Sequence, residues 1–584
     1  MNRAVVGVIA AGAVLGAALL VMPGIIGYSA ENSLRTSLKT ISQQGSYRIE
    51  LVRFERGWFT SKAESRLIVE GEYARTLQQL MGMVTGDEFE VTFTHDIRHG
   101  PLLLHKIQPV IGIAFAKTDM RLPEGVETVL EKYLRGQPLL TFRTTFDFLG
   151  GSKTLIDNPE YMGEMGPHTS VEWDGASGRI LAAKRAFSVT LDMPLFRLET
   201  SERMTLLRDM KVTGAQEKWG SHLWLGEIDA RAAEVRLLHP EAGDAVDIEA
   251  LGYRTAVTID KADRLDASVS LGLDGGAFEG GRLGPSRWSL EVVDLSAPAL
   301  DEAYGLYNKV LDKAGTPYEQ QMLLDSFLDK SLTGLFDAPV AMKAGISLDV
   351  DSPFALYRGT TSIGVSGKNA EVAIAIDQTT DALDYGGWTM TDSRGQLRLS
   401  GLDGRMLGEI YADLVRFITL GMPDSQMEEE KALVFSEKLP AIIRPGTRLT
   451  LENVTINVPG GSVTANGDLG FTGDQPLNYA DMDAVTRRLK GTGTARISQG
   501  ALVWYLTREL LHERQMALAV EGREVDEDTL RLLARTSANS RILELERQAV
   551  IRRDGDGFVI EAALADGKVM LNGVPRPELA PAAP

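Results

Sequence analysis

Between residues 47 and 273 the apolar side chains recur with a period of two, and only short helical patterns interrupt them. A period of two sends successive side chains to opposite faces of a strand. Tyr47, Ile49, Leu51 and Arg53 alternate with Arg48, Glu50 and Val52, and Phe89, Val91, Phe93 and His95 share one predicted face. Further strand-like runs cover 65–70, 110–120, 139–148, 185–191, 223–227, 232–238 and 265–273. Helical spacing is confined to 31–43, 74–83 and 125–134. Strand after strand with so few helices predicts a meandering antiparallel sheet and argues against an alternating βαβ chain.

The carboxyl half carries a repeat. Leu290 and Val292 lie on one strand face, Leu295 follows, and a helix then presents Leu300, Ala303, Tyr304, Tyr307 and Leu311. The same spacing returns 107 residues later: Leu397, Leu399 and Leu402, then Leu407, Ile410, Tyr411, Leu414 and Ile418. A second amphipathic helix follows each time (318–336 and 426–442), and two strands close the unit. A weaker third copy starts near Thr494. There Ala501, Trp504 and Tyr505 keep part of the pattern and Arg508 interrupts it. Its closing strands end on Val569-Met570-Leu571-Asn572-Gly573, which matches Val463-Thr464-Ala465-Asn466-Gly467 in form. Repeats at a fixed period bury a shared face between neighbouring units. The competing reading is chance similarity between amphipathic patterns.

Residues 4–22 hold neither a charge nor a strongly polar side chain; Ala4, Val8, Gly12, Gly16, Leu20 and Met22 mark their course. About 20 such residues span a hydrocarbon core of ~30 Å. A cleaved signal peptide has a shorter apolar stretch with small residues before the cut. Here Tyr28-Ser29-Ala30 offers Ala at one of those positions and Tyr at the other. The stretch is therefore read as a transmembrane anchor with the bulk of the chain outside the cytoplasm, although Arg35 and Lys39 beyond the span weaken the charge asymmetry. Gly12 and Gly16 form a GxxxG spacing that packs membrane helices in pairs. A homodimer is one state this permits; an anchor simply rich in small residues is the plainer reading.

The chemistry-bearing residues form no catalytic pattern. Cysteine is absent from the 584 residues, which removes thiol catalysis, thiolate-bound metals and disulfides. With 61 Lys and Arg against 80 Asp and Glu, the net charge is −19, so there is no electrostatic reason to expect a nucleic-acid partner. His95-Asp96-Ile97-Arg98-His99 looks like HExxH. It has Asp for Glu and reads as a strand, where positions i and i+4 stand about 13 Å apart. Zinc needs both imidazoles on one helix face. Gly364-Val365-Ser366-Gly367-Lys368 lacks the first glycine of a P-loop, and no G-x-S-x-G occurs. The Gly-rich stretch 272–284 reads as a hairpin, and Asp554-Gly555-Asp556-Gly557 as a hairpin turn rather than a calcium loop. No catalytic, metal or cofactor residue is assigned.

Three short segments carry a resemblance. They are Phe54-Glu55-Arg56-Gly57-Trp58-Phe59-Thr60-Ser61-Lys62-Ala63, Ile97-Arg98-His99-Gly100-Pro101-Leu102, and the terminal segment with Asn572-Gly573. With the amino-terminal anchor, they resemble the YdgA family of bacterial envelope proteins, which is defined by a domain of unknown function. The resemblance implies an inner-membrane anchor with a periplasmic body and supplies no activity. Read from the residues alone, these positions are structural, with a binding role for Trp58 and a functional His99 as the alternatives. Arg56-Gly57 is a turn, Trp58-Phe59 an aromatic pair expected to pack beneath it, and His99-Gly100-Pro101 a strand end.

The expected fold is thus α+β and β-rich: an extended antiparallel sheet after an N-terminal transmembrane helix, followed by repeated strand-helix-helix-strand-strand modules. The expected divisions are an anchor (1–30), a β-rich sheet region (31–284), three modules (285–392, 393–488 and 489–575) and a disordered tail (576–584). The leading expectation is a non-enzymatic, inner-membrane-anchored periplasmic protein that handles lipid acyl chains or another hydrophobic ligand in a β-sheet groove. The alternatives are an envelope assembly scaffold that binds other proteins and, last, a hydrolase with a carboxylate pair.

Overall fold

The computed structural model describes residues 47–70, 74, 88–99, 102–105, 108–121, 138, 140–166, 169–200, 203–239, 244–311, 319, 322–328, 340–368, 371–420, 438, 441–473, 482–521 and 525–577. The helical patterns expected at 31–43, 75–83 and 125–134, the proposed anchor and the tail from 578 lie outside them. The chain divides into two compact units, 1–256 and 257–584.

The first unit holds β1 (Tyr47–Arg56), β2 (Thr60–Glu70), β3 (Glu88–His99), β4 (Leu102–His105), β5 (Gln108–Ile111), β6 (Ala114–Arg121), β7 (Leu140–Phe146) and β8 (Ser152–Asn158). It continues with β9 (Tyr161–Gly166), β10 (Thr169–Trp173), β11 (Ala176–Ala183), β12 (Ala186–Glu199), β13 (Met204–Trp219) and β14 (Leu223–His239). Its pairings are all antiparallel and run β1-β2-β3-β6-β7-β8-β11-β12-β13-β14. The β9–β10 hairpin pairs with the second half of β12, beyond the part taken by β11. β4 and β5 form a separate hairpin. One sheet face is apolar: Ala63, Ile97 and Ala116 form one buried cluster, and Phe89, Val91 and Ala74 another. The predicted meander is what folds here.

β15 (Asp244–Ile259) carries the chain into the second unit, which holds β16 (Arg264–Leu273), β17 (Gly275–Phe278), β18 (Gly281–Leu283), β19 (Ser286–Ser296), β20 (Val340–Asp351), β21 (Ala355–Lys368) and β22 (Glu371–Tyr385). Then come β23 (Trp388–Asp403), β24 (Arg448–Val458), β25 (Gly461–Phe471), β26 (Leu489–Ser498), β27 (Arg552–Asp554), β28 (Gly557–Ala565), β29 (Lys568–Leu571) and β30 (Val574–Pro575). Its helices include α1 (Ala297–Leu311), α2 (Gly404–Leu420), α3 (Met482–Arg488), α4 (Gln499–Glu521) and α5 (Glu527–Arg547). Antiparallel pairing runs β16-β19-β20-β21-β22-β23-β24-β25-β26-β28-β29-β30. The Gly-rich stretch is the β17–β18 hairpin.

At three corners a strand runs straight into a helix, and the last strand residue caps it. Ser296 Oγ accepts from Ala299 N (3.5 Å), Asp403 Oδ1 from Arg405 N (2.9 Å), and Ser498 Oγ from Ala501 N (3.3 Å). Such side chains satisfy the unpaired N–H groups of a helix start. After each helical excursion the chain returns to pair antiparallel with the strand it left: β19 with β20, β23 with β24, β26 with β28. Arg508 interrupts the apolar pattern of the third copy but not its helix. α4 continues through it, and its Nη2 donates to Gly386 O at 2.6 Å. Gly386 and Gly387 (φ 56° and 78°) form the β22–β23 turn, and a Cβ on Gly387 would strike the Arg508 guanidinium.

Candidate apolar binding face

Cross-strand register places the alternating apolar residues of the second unit in one row. Through successive neighbours it reads Val269, Leu290, Ala344, Ile363, Ile376, Leu397, Leu451, Gly467, Gly493, Ala562 and Leu571. At ~4.8 Å between strands, ten spacings give a row roughly 48 Å long that itself holds no polar side chain. In the middle of the row Ile363, Ile376 and Leu397 are 47, 37 and 37% exposed. Leu271, Trp288, Met342 and Ile346 are exposed on the same face. The opposite face is charged: Arg358 pairs with Asp349 (3.0 Å), Gln396 donates to Asp377 (2.6 Å), and Arg448 lies 3.3 Å from Asp468. Monomeric proteins rarely leave contiguous apolar patches beyond a few hundred Å² in water, and those that do commonly bind there.

Among the described residues, helices cover the two ends of this face but not its middle. Met406, Leu407 and Ile410 of α2 pack over Leu399, Ile374 and Val365. Leu502 and Leu506 of α4, with Ala538 and Ile542 of α5, pack with Ile497, Phe558 and Ile560. Each helix stands at the carboxyl end of its strand, and β23 and β26 are three antiparallel pairings apart. The two rims therefore lie at opposite ends of the strands. Between them is a cavity of about 330 Å³ lined by Leu397, Leu449, Leu451, Leu469, Leu564 and Val569 around Gly467, Gly491 and Gly493. On the α4 rim the Trp388 ring stands edge-on to Trp504 (5.6 Å, 90°) and 5.8 Å from Tyr505.

The first unit has a matching row, with a polar break. It reads Phe54, Ala63, His95, Thr118, Phe142, Ile156, Gly178, Leu191, Val212 and Ala230. His95 bridges two strands: Nε2 lies 2.8 Å from Ser65 Oγ and Nδ1 2.8 Å from Thr118 Oγ1. Burial pushes its pKa down to about 4, so the ring is neutral at pH 7, a donor on one nitrogen and an acceptor on the other. Four residues on, His99 Nε2 lies 2.8 Å from Ser61 Oγ, both residues are buried, and burial lowers the His99 pKa as well. A nucleophilic serine needs an imidazole oriented by a third group. Asp96 cannot supply it, because alternation turns it to the other face. Ser61 is 2% exposed and Ser65 1%, so neither hydroxyl meets solvent. These contacts lock β2, β3 and β6 in register. Among the described residues no group of three or more His, Asp or Glu is placed to hold a metal.

The other singled-out residues sort clearly. Gly57 lies in the β1–β2 turn, where a Cβ would come within 2.4 Å of Thr60 O, so the close backbone approach requires glycine. Trp58 and Phe59 do not pack beneath that turn. They are 57 and 50% exposed, because a three-residue connection holds them at the hairpin tip, away from either sheet face. Asn572 (φ 48°) accepts from Glu561 N (2.8 Å) and donates to Ala549 O and Val550 O (3.2 and 3.0 Å). Asn466 likewise accepts from Asn453 N at 2.9 Å. Gly573 (φ 80°) completes the β29–β30 turn, and Arg56 ends β1 opposite Ser61. Gly100, Pro101, Ala4, Val8, Gly12, Gly16, Leu20 and Met22 lie outside the described residues. Among those described, no helix is long and apolar enough to cross a membrane. Sequence reasoning missed Ser61 and Ser65, whose signal was their place at inward positions of an alternating strand.

Fold and face together define a β-rich protein built on amphipathic antiparallel sheet, with helices covering part of the apolar side. The chain belongs to a family described as "Bacterial protein of unknown function (DUF945)", whose profile matches residues 1–343 and 342–578. No curated protein and no solved structure matches it.

Proposed function

We propose that this protein handles a hydrophobic ligand, the acyl chains of a lipid, on the apolar face of its sheet, without an enzymatic step. The observation that carries this reading is the unbroken eleven-strand row with Ile363, Ile376 and Leu397 open to water. Each methylene buried there contributes about 0.8 kcal/mol. Residues 4–22 serve as an inner-membrane anchor and the body lies in the periplasm, which brings the face close to a source of lipid. The segments 285–392, 393–488 and 489–575 are divergent copies of one module. Two observations favour this: Asp294 and Gly401, 107 residues apart, both adopt a left-handed backbone (φ 63° and 73°), and the capped corners at Ser296 and Asp403 stand at the same spacing, with a third at Ser498. The test is solvent extraction of the purified chain followed by mass spectrometry. A stoichiometric lipid is the expected result; a chain that purifies without lipid and takes up none on titration overturns the reading.

A second reading, a docking face for other envelope proteins, is favoured by the aromatic cluster of Trp388, Trp504 and Tyr505, since aromatics dominate protein interfaces. Crosslinking in cells separates the two: protein adducts on the row residues support docking, and lipid adducts alone refute it.

A further inference from the structure

Glycine inside a strand costs roughly 0.5–1 kcal/mol relative to alanine, so it persists where the backbone demands it. Several sheet glycines here have such a reason. A Cβ on Gly178 would lie 3.0 Å from Thr190 O, on Gly359 2.5 Å from Thr379 O, and on Gly491 2.5 Å from Asp468 O. Gly467 and Gly493 have none. Both are extended residues within β25 and β26, and neither has positive φ. A Cβ on them would meet nothing nearer than Thr492 O at 3.6 Å and Asn466 O at 3.7 Å, ordinary contact distances. Any β-branched residue would suit the sheet better. The two are register partners, so two adjacent side chains are missing from the apolar row.

The space they leave is the cavity of about 330 Å³ between the helical rims. That is at the small end of the ~300–1,000 Å³ typical of ligand pockets. Its inward side chains are leucine, valine and alanine. Alternation turns Asp468 to the opposite face, where it pairs with Arg448. Whatever sits here is spared any charge or hydrogen-bonding requirement. A net charge of −19 repels an anionic head group near the mouth, whereas a zwitterionic one carries no net charge to be repelled.

We infer that the notch over Gly467 and Gly493 seats one acyl chain of a zwitterionic phospholipid, and that both positions are glycine to keep it open. The inference rests on the lipid-handling reading of the same face. The test titrates the full chain, in non-ionic detergent, with phosphatidylethanolamine carrying pyrene on one acyl chain. Saturable binding to the unaltered protein is expected, with Gly493→Leu weakening it tenfold or more and Gly493→Ala less. Gly364→Leu, on the opposite face with its nearest atom 3.9 Å from the new Cβ, leaves binding unchanged. Thermal unfolding of each variant verifies that the fold persists. Full binding by Gly493→Leu while Ile376→Asp abolishes it overturns the notch and spares the broader reading. No binding by the unaltered protein overturns both. Equal or tighter uptake of pyrene-labelled phosphatidylglycerol overturns the choice of lipid.

Discussion

The two units lay down the same kind of row and treat it in opposite ways. In the first unit the row passes through Ala63, His95 and Thr118, and Ala63 with Ser61, Ser65, Ile97 and His99 beside the row are buried. In the second unit it holds only aliphatic side chains and glycine, and its centre is open. A buried hydroxyl or imidazole must find a partner within the protein, at a cost of about 1–3 kcal/mol if it does not. Ser61, Ser65, His95 and Thr118 meet that demand across three strands and fix the register. The second unit spends nothing on polar satisfaction and keeps its apolar surface available. One pattern of alternation thus yields a face closed over β2, β3 and β6 and one open over β21, β22 and β23, and the inward residue types differ between them.

The largest expected effect concerns the rim that bounds the open face. Phe558 of β28, 2% exposed beneath α4 and α5, should cost about 3–5 kcal/mol on replacement by alanine, read as a shift in the urea midpoint. Hydrogen exchange in β2 and β3 should be unaffected; equal loosening there would mean that the two faces are not energetically separate.

Acid should act on the closed face. His95 has a folded pKa near 4 against 6.5 ordinarily, so the unfolded chain takes up the proton first. The stability at stake is complete above pH 6.5 and declines as pH falls to 4, by about 3 kcal/mol at ~1.4 kcal/mol per pKa unit. His99 shifts in the same direction. His95→Leu is expected to lose about 3 kcal/mol less than the parent between pH 7 and 4. Parallel pH profiles would show that the buried His95 ring is not the group that couples stability to acid.

Smaller effects sharpen the contrast. Asn572→Ala removes one accepted and two donated hydrogen bonds and leaves alanine at φ 48°, so about 2 kcal/mol should be lost in chemical unfolding. Ile376→Ser, on the open face, should change stability by less than about 0.5 kcal/mol. A large loss would mean that Ile376 supports the fold instead of facing a ligand.

Much of this was legible because alternation is a local signal. Phe89, Val91 and Ile97 could be set on one buried face from sequence, as could the corners after Leu295 and Leu402. The helix caps were legible only in part, since Ser296 and Ser498 look like ordinary strand residues until the chain turns. The site was harder. Ser65 and His95 are 30 positions apart, and Leu397 and Gly493 nearly a hundred, so the row exists only once register is known. The exposure of Trp58 and Phe59 depended on the length of a turn, which aromatic composition does not report.

The most direct measurement of the central claim is photocrosslinking from two adjacent positions on β22 in living cells. Ile376 points to the open row, and Asp377 to the charged face, where it accepts from Gln396. A benzophenone side chain at Ile376 is expected to give lipid adducts by mass spectrometry, and at Asp377 none. Equal labelling from both positions, or none from Ile376, would contradict an apolar face that carries acyl chains.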